Sequence, residues 1–339
     1  MSCGASTLKL LCIWICSRLD SIMGTNYSTV TEFILTGFSR RPDLQTFLFF
    51  LFLLIYIFTV VGNIGIIFLV YHNSKFHTPM YYFIGNLAFL DLCYSADITP
   101  KMLADLVSEQ KTISYSGCAI QLFFFSALGS TECVLFAVMA YDRYIAICNP
   151  LNYTLFMMEK TCVGLVAASY TVGFLHSLIE TSCTFHLSFC ASNILHHFAC
   201  DFPQLLSISC TDSAANEIVL FVFSSSVTMP SVIIILASYI SVFMAIFKIN
   251  TTEGRQKPFS TCASHITAVA LLYGTVLYVY LKPRSSTETV SMATVFYTVI
   301  LPMLNPIIYS LRNKEIKVAL KKYIKIFFTK KTLKTIPLQ

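Results

Sequence analysis

The stretch that decides the fold is LQTFLFFLFLLIYIFTVVGNIGIIFLVYHNS, residues 44–74, which contains no Asp, Glu, Lys or Arg. A helix needs roughly 17–25 apolar residues to cross the hydrocarbon core of a bilayer, and this run is longer than that. Further along the chain, four more uncharged runs reach spanning length: 161–179, 218–247, 258–281 and 289–311. Two further apolar segments, 79–106 and 117–147, carry isolated charges. The sequence therefore predicts an all-α membrane protein, a seven-transmembrane helix bundle over residues 44–311.

The composition argues against a soluble protein. Only 12% of the residues are charged and 56% are hydrophobic, whereas about 25% of the residues of a typical soluble domain are charged. The alternative fold, a large soluble helical bundle, would not supply so many uncharged runs of this length.

The Lys and Arg residues predict the orientation, because cytoplasmic loops hold the excess of them. With the N-terminus outside, the inner segments hold Lys75, Arg143, Lys160, Lys248, Arg255, Lys257 and the basic tail. The long outer loop, 181–216, contains no Lys or Arg. We therefore expect a plasma-membrane protein with an extracellular N-terminus, whose formal charge of +6 reflects contact with anionic lipid and not with nucleic acid.

The two ends of the chain are expected to lie on opposite sides of the membrane. Residues 1–43 form an extracellular segment, of which 1–22 precede Met23 and are interpreted as an upstream extension. Asn26 begins an Asn-Tyr-Ser glycosylation pattern. Residues 312–339 form a cytoplasmic basic tail. It has an apolar stripe that predicts an amphipathic helix on the inner leaflet: Ile316, Leu320, Tyr323, Ile324 and Phe327.

Two carboxylates lie inside predicted spans, where ionisable groups are costly and are candidates for function. Asp91 lies in the second span and Glu132 midway along the third, and neither has a Lys or Arg one turn away. The pair is expected to share a proton, to bind a cation such as sodium, or to hydrogen-bond to Asn63 in the first span. The alternative is that one or both are protonated and have only a structural role.

Helical spacing orients the third span. One face holds residues that recur at intervals of three and four: Leu122, Phe125, Ser126, Gly129, Glu132 and Phe136. Because Glu132 should face the bundle interior, the outer half of this face, up to Ser130, is also expected to face inward. It is mostly apolar and suits a small hydrophobic ligand. The alternative is plain helix packing through small residues.

Two prolines interrupt the seventh span. Pro302 and Pro306 each lack a backbone donor and free a carbonyl, so this helix is expected to be locally broken. Asn305 is predicted to bond to the freed groups or to Asp91. A kinked helix with polar residues can adopt two arrangements, which a conformational switch requires.

Six motifs now stand in a fixed order along the chain. They are PMYYF (79–83), LDLCY (90–94), TPKML (99–103), MAYDRYIAICNPL (139–151), FSTCASH (259–265) and PMLNPIIYSLRN (302–313). Together they resemble the motifs of the olfactory receptor family of rhodopsin-like G-protein-coupled receptors, and the similarity covers about residues 26–317. The resemblance implies a receptor for a small, mostly apolar odorant that activates a stimulatory, olfactory-type heterotrimeric G protein and raises cAMP.

The resemblance also implies site residues. An odorant pocket is expected among the outer halves of the third, fifth, sixth and seventh spans: Phe125, Ser126, Gly129, Ser130, Phe223, Val227, Tyr273, Val276, Leu277, Tyr280 and Thr298. Coupling to the G protein and switching are expected of Asp142, Arg143, Tyr144, Tyr239, Asn305, Pro306 and Tyr309. Because Lys257 stands where many related receptors carry an acid, we expect no ion pair from Arg143 to the sixth span.

Four cysteines lie on the predicted outer side: Cys118, Cys190, Cys200 and Cys210. In an oxidising compartment they predict two disulfides, for which the sequence alone allows three connectivities. The resemblance implies Cys118 with Cys200 and Cys190 with Cys210. His196, His197, Cys200 and Asp201 are potential metal ligands, but an oxidised Cys200 would remove the thiolate, so no metal is expected.

Three alternative functions make different predictions about this sequence. A transporter would show inverted repeats around a midplane ion site, and the two halves of this sequence show no such repeat. A non-olfactory chemoreceptor of the same family, expressed elsewhere, remains open, and tissue expression would discriminate it. An enzyme is not expected, because no nucleophile and base pattern, phosphate-binding loop or zinc spacing fits the topology.

Overall fold

The computed structural model describes residues 30–38, 42–189, 192–210, 213–281, 292–312 and 315–319. The predicted extension 1–22, the glycosylation site Asn26, Cys190 and most of the amphipathic tail lie outside the described residues. The fold and its sites are therefore described within these ranges.

The described residues form seven long helices, which confirm the predicted fold class. They are α1 (Pro42–His72), α2 (Pro79–Val107), α3 (Tyr115–Cys148), α4 (Glu159–Phe185), α5 (Ser213–Phe247), α6 (Thr252–Leu281) and α7, whose final part is Leu301–Arg312. In α7, the π-helical turn Phe296–Ile300 precedes this part, and the whole apolar span covers Met292–Ser310. Together they form a multi-pass membrane bundle.

Hydropathy separates these helices into two groups. Among the described residues, α1, α3, α4, α5 and α7 are long and apolar enough to cross a membrane, and α6 has a shorter apolar part, Cys262–Tyr278. α2 carries Asp91, Asp97, Lys101 and Asp105 along its length, which lowers its hydropathy. Its charged residues occupy a helix that packs between α1 and α3, so polar groups are brought into the bundle.

One end of the bundle, called here the sheet end, is closed by a small β-sheet. Its central strand, β1 (Glu32–Leu35), pairs antiparallel with β2 (Thr112–Ser114) and parallel with β3 (Ile194–Leu195). The sheet buries Phe33, Leu35 and Leu195 against α3 and the loop that follows α4. The segment before α1, predicted only as an extracellular segment, thus becomes part of the cover of this end.

A disulfide ties the loop after α4 to the beginning of α3. Cys118 and Cys200 are bonded, with Cα atoms 5.6 Å apart, which confirms the first predicted pairing. Gln121 adds a second tie, because its Oε1 accepts from Cys200 N at 3.0 Å and its Nε2 donates to Asp97 O at 3.3 Å. Cys210 is also disulfide-bonded, while Cys190, its predicted partner, lies outside the described residues.

The opposite end, called here the Arg143 end, is formed by short helical connections. Residues Ser74–Phe76 and Pro150–Asn152 are 3₁₀ turns, and Tyr153–Phe156 is one turn of α-helix. Beyond α7, residues 315–319 are helical, and Ile316 of the predicted apolar stripe is buried there with Ala319. Glu315 accepts a hydrogen bond from the Tyr81 hydroxyl at 2.9 Å, so this segment is anchored to α2.

Candidate functional site

The break in α7 is compensated by a side chain of α1. Pro306 has no N–H, so the carbonyl of Pro302, four residues earlier, loses its helical partner. Asn63 Nδ2 donates to this carbonyl at 3.0 Å and to Thr59 O at 3.0 Å. Asn63 Nδ2 therefore bonds to these two carbonyls and not, as was one of the predictions, to the buried acids. Close contact is possible because Gly62 faces Pro306, where a Cβ would lie 3.2 Å from the proline Cβ.

Asn305 joins α7 to α2 next to this break. Its Nδ2 donates to both carboxyl oxygens of Asp91, at 3.0 and 3.1 Å. Glu132 on α3 is buried and close enough to interact electrostatically with Asp91. Asn63, Asp91, Glu132 and Asn305 thus form a polar centre, the Asp91 centre, between four helices.

The Asp91 centre has more acceptors than donors. Three of its buried oxygens, Asn63 Oδ1, Glu132 Oε1 and Asn305 Oδ1, have no hydrogen-bond partner among the described residues. Buried acceptors without a donor are costly. Oxygen atoms from carboxyl and amide groups are also the ligands that a hard cation prefers, so the residues present fit either a shared proton or a bound cation.

The predicted ligand residues on α3 divide between two sides of the helix. Phe125 faces α2 and α7, where its ring centroid lies 5.4 Å from that of Tyr94 and 6.1 Å from that of Tyr297. Gly129 is on the same side, since a Cβ there would be 3.8 Å from the Tyr94 hydroxyl. Ser126 and Ser130 instead face α4 and α5.

Two α4 side chains that the sequence analysis did not single out bind these serines. Ser126 Oγ donates to Glu180 Oε2 at 2.8 Å, and Ser130 Oγ lies 3.0 Å from His176 Nδ1. Glu180 and His176 are 3% and 8% exposed. The sequence contains a pattern that could have identified them, because Glu180 follows His176 by four residues, one helical turn, at the end of an apolar run. The predicted span stopped at residue 179, just before the carboxylate.

The remaining predicted ligand residues are only partly brought together. Phe223, Val227 and Val276 are half-buried, and the Tyr273 hydroxyl lies near Cys133 of α3. Thr298 is fully buried and donates to Thr294 O at 2.7 Å. Leu277 is 57% exposed and does not join this group. Only the backbone of Tyr280 lies in the described part of the chain.

A cavity in the described part of the chain lies away from the predicted ligand residues. It has a volume of about 590 Å³ and opens between α1, α2 and α4 at the Arg143 end. Tyr71, Phe76, Tyr82, Met157 and Cys162 contribute to its walls, and none of the predicted ligand residues does. This cavity is therefore distinct from the predicted odorant site.

The cover of the sheet end contains a buried acid and a buried histidine. Burial raises the pKa of Asp201, although His197 beside it acts in the opposite direction. Burial lowers the pKa of His197 below its ordinary value. The Nδ1 atom of His197 lies 3.0 Å from Ala199 O. Cys200, one of the four potential metal ligands, is part of the disulfide.

At the Arg143 end, the two charges of MAYDRYIAIC form an ion pair. Arg143 Nη2 lies 3.0 Å from Asp142 Oδ2. The Tyr153 hydroxyl donates to Asp142 Oδ1 at 2.8 Å, a contact that the sequence analysis did not predict. Burial, followed by the nearby Asp142 carboxylate, raises the pKa of Tyr153, so the phenol keeps its proton and remains a donor.

The other predicted switch residues lie next to this pair. Tyr239 of α5 is buried, and its hydroxyl is 2.6 Å from His265 Nδ1 of α6. Tyr309 of α7 is also buried, with a hydroxyl that has no hydrogen-bond partner among the described residues. Tyr144 is half-buried, and its ring centroid is 6.3 Å from that of Tyr141. The histidine of FSTCASH thus joins α5 to α6, a role not assigned from the sequence.

The chain is similar to known proteins in both sequence and fold. A family model described as olfactory receptor matches residues 52–328. The chain is 51% identical over 305 residues to olfactory receptor 5AP2 of Mus musculus, covering 89% of this chain and 96% of that relative. It is 49% identical over 308 residues to olfactory receptor 5AP2 of Homo sapiens, covering 90% and 98%. The crystal structure of squid rhodopsin has a TM-score of 0.66 at 16% identity, over 85% of this chain and 87% of rhodopsin; this likeness concerns the fold alone.

Proposed function

This chain belongs to the olfactory receptor family, and we propose that it detects a small, mostly apolar molecule and activates a stimulatory, olfactory-type heterotrimeric G protein, raising cAMP. It acts at the plasma membrane with its N-terminus, and hence the sheet end, outside. The observation that supports the proposal is that the two ends of the bundle carry different kinds of side chain. Partly buried apolar and hydroxyl side chains lie towards the sheet end, and an ion-paired arginine lies at the other.

Signalling requires that ligand binding favour one of two bundle arrangements. The broken α7 supports such a change, because a side chain of α1 bonds to its Pro302 carbonyl in place of the missing helix bond, and the side-chain amide of Asn305 bonds to Asp91 of α2. We expect the inner ends of α5 and α6 to open and Arg143, Tyr239 and Tyr309 to rearrange. The opened end would then admit the C-terminal helix of the G protein, a helix-in-groove mode of binding.

A cAMP reporter assay tests the proposal directly. Cells that express the full chain with an olfactory-type G protein would be exposed to a broad odorant panel, and surface expression would be measured on the same cells. At least one apolar odorant is expected to raise cAMP in a concentration-dependent manner. Silence across the panel, with the receptor at the surface, would overturn the function and leave the fold standing.

We also propose that the Asp91 centre holds a sodium ion or a shared proton. The residues fit this role because three buried oxygens of the centre receive no hydrogen bond from any described residue. Ion or proton occupancy would stabilise one arrangement of α7 through Asn305, which holds Asp91. The odorant response should therefore depend on sodium concentration or on pH.

Replacement of Asp91 by asparagine is expected to abolish that dependence, because the replacement removes a charge and keeps the size of the side chain. The measurement is the half-maximal odorant concentration with sodium or choline in the medium and at several pH values. Asp97→Asn is the matched control on the same helix, since the Asp97 carboxyl makes no bond to Asn305. The proposal would be refuted if the wild-type response depends on neither sodium nor pH and the Asp91→Asn receptor signals like the wild type.

A further inference from the structure

His176 and Glu180 form a buried polar pair where α3, α4 and α5 meet. They lie one helical turn apart, and His176 Nε2 is 3.3 Å from Glu180 Oε1. Ionisable groups inside a membrane span are expensive and are usually retained for a function. Their partners include two predicted ligand residues, Ser126 and Ser130, so the pair acts on the ligand site through those serines.

Glu180 determines where the Ser126 proton points. Ser126 Oγ lies 2.8 Å from Glu180 Oε2, and Ser224 Oγ of α5 lies 2.7 Å from Glu180 Oε1. Both hydroxyls donate to the oxygens of this carboxyl group. A hydroxyl has a single proton. Ser126 therefore has none left to donate, and its oxygen can only accept.

His176 imposes the same state on Ser130. Its Nε2 lies 3.1 Å from Phe223 O and 3.3 Å from Glu180 Oε1. Both of these oxygens are acceptors, so Nε2 carries the proton. In a neutral imidazole the other nitrogen, Nδ1, is then an acceptor. A neutral His176 therefore accepts from Ser130 Oγ, 3.0 Å from Nδ1, and Ser130 then also presents only lone pairs to the ligand.

Other hydroxyls near the predicted site also donate their hydrogen bonds to groups within the protein. Thr298 donates to Thr294 O at 2.7 Å, and Ser231, next to Tyr273, donates to Val227 O at 2.9 Å. Tyr273 differs from these residues, since its hydroxyl lies beside Cys133 and Ser231 and makes no well-aligned hydrogen bond among the described residues. The side of the site formed by α3 thus accepts hydrogen bonds and does not donate them.

We propose that Glu180 and His176 are positioning residues that hold Ser126 and Ser130 as hydrogen-bond acceptors, so that the receptor prefers odorants with a hydroxyl group over carbonyl compounds or ethers of the same carbon skeleton. The inference rests on the proposed odorant site and names its ligand class. An alcohol or a phenol donates to these serine oxygens. An aldehyde, a ketone or a methyl ether brings a second acceptor against them and leaves both unpaired, which is costly in a buried site.

The test compares an alcohol, an aldehyde and a methyl ether built on the carbon skeleton of the strongest agonist found in the reporter screen. On the wild type, the half-maximal concentration of the alcohol is expected to be roughly 10-fold or more below that of the other two, the size expected for one unpaired buried polar group. Equal potency of the three compounds would overturn the inference while leaving the proposed function intact. A wild type that is silent to the whole panel would instead overturn the proposed function.

Glu180→Gln is the decisive variant, because it keeps the shape of the side chain and replaces one acceptor by a donor. The glutamine amide donates to one serine, whose own proton then becomes available to a carbonyl ligand. The preference for the alcohol over the aldehyde should shrink by several-fold. Ser224→Ala is the matched control, since it removes a partner of Glu180 on α5 and leaves the bond to Ser126, and it should keep the preference.

A purely structural Glu180 gives a different result. It would weaken the response of the Glu180→Gln receptor to every ligand by the same factor and leave the ratio between alcohol and aldehyde unchanged. That outcome, or an equal change of the ratio in Ser224→Ala, would refute the positioning role. Surface expression is measured for each variant, so that potency is compared only between receptors present in similar amounts.

Discussion

Replacement of Gly173 by alanine is expected to remove most of the folded receptor from the cell surface. Gly173 lies on α4 where this helix crosses α3 without space between them. A Cβ at this position would lie 2.1 Å from Thr131 Oγ1, 2.6 Å from Ala127 O and 2.8 Å from Thr131 N. Overpacking an interior typically costs about 1–3 kcal/mol. Two of these three obstacles are backbone atoms that cannot rotate away, so we expect a cost at or above the upper end.

The same helix supplies the control for this prediction. A Cβ at Gly164 would meet no atom of the described part of the chain within 4 Å, so Gly164→Ala should be tolerated. Surface staining in cells and thermal unfolding of the purified receptor in detergent would measure both variants. A Gly173→Ala receptor with wild-type surface level and wild-type melting temperature would show that α3 and α4 can separate without loss of fold.

Replacement of Arg143 by alanine is expected to abolish odorant-evoked cAMP while the receptor remains at the surface. Arg143 is 13% exposed in its side chain and is held at the edge of the bundle by Asp142. Its charge is thus available at the end where the G protein is proposed to bind. The measurement is the maximal cAMP response, normalised to surface receptor. Full signalling by Arg143→Ala would refute the role given to this residue.

Tyr153→Phe is the companion variant with an effect in the opposite direction. It removes the hydroxyl that donates to Asp142 Oδ1 at 2.8 Å and leaves Arg143 in place. One hydrogen bond contributes about 0.5–1.5 kcal/mol, so we expect basal cAMP to rise roughly 2- to 10-fold. An unchanged basal level would mean that the Tyr153 bond does not favour the resting arrangement.

The predicted spans and the polar residues within them largely agree with the structure, because their causes are local. The length of an uncharged run is set by the thickness of the bilayer, so α1 could be placed from residues 44–74 alone. Asn305 was predicted to bond to Asp91 or to the carbonyls freed by the prolines, and it bonds to Asp91. The freed Pro302 carbonyl is taken by Asn63 instead. The sequence identified the unpaired groups but not which side chain reaches each of them.

The residues that were missed depend on contacts between distant segments. Glu180 and His176 matter because Ser126, Ser224 and the Phe223 carbonyl converge on them from α3 and α5. Tyr153 matters because a short helix after α3 brings its hydroxyl to Asp142. β1 was not predicted, since its four residues pair only with strands far along the chain. None of these pairings leaves a periodic pattern in the sequence.

The sequence by itself determined that this chain crosses the membrane, which family it resembles and which acids and prolines lie within the spans. These properties follow from hydropathy, length and short motifs, each of which is written in contiguous residues. Only the tertiary structure decided how the protons of the buried hydroxyls are distributed. Whether a serine can donate to a ligand depends on whether its proton is already used in a hydrogen bond within the protein. For Ser126 the acceptor of that bond is the Glu180 carboxyl group, on a different helix.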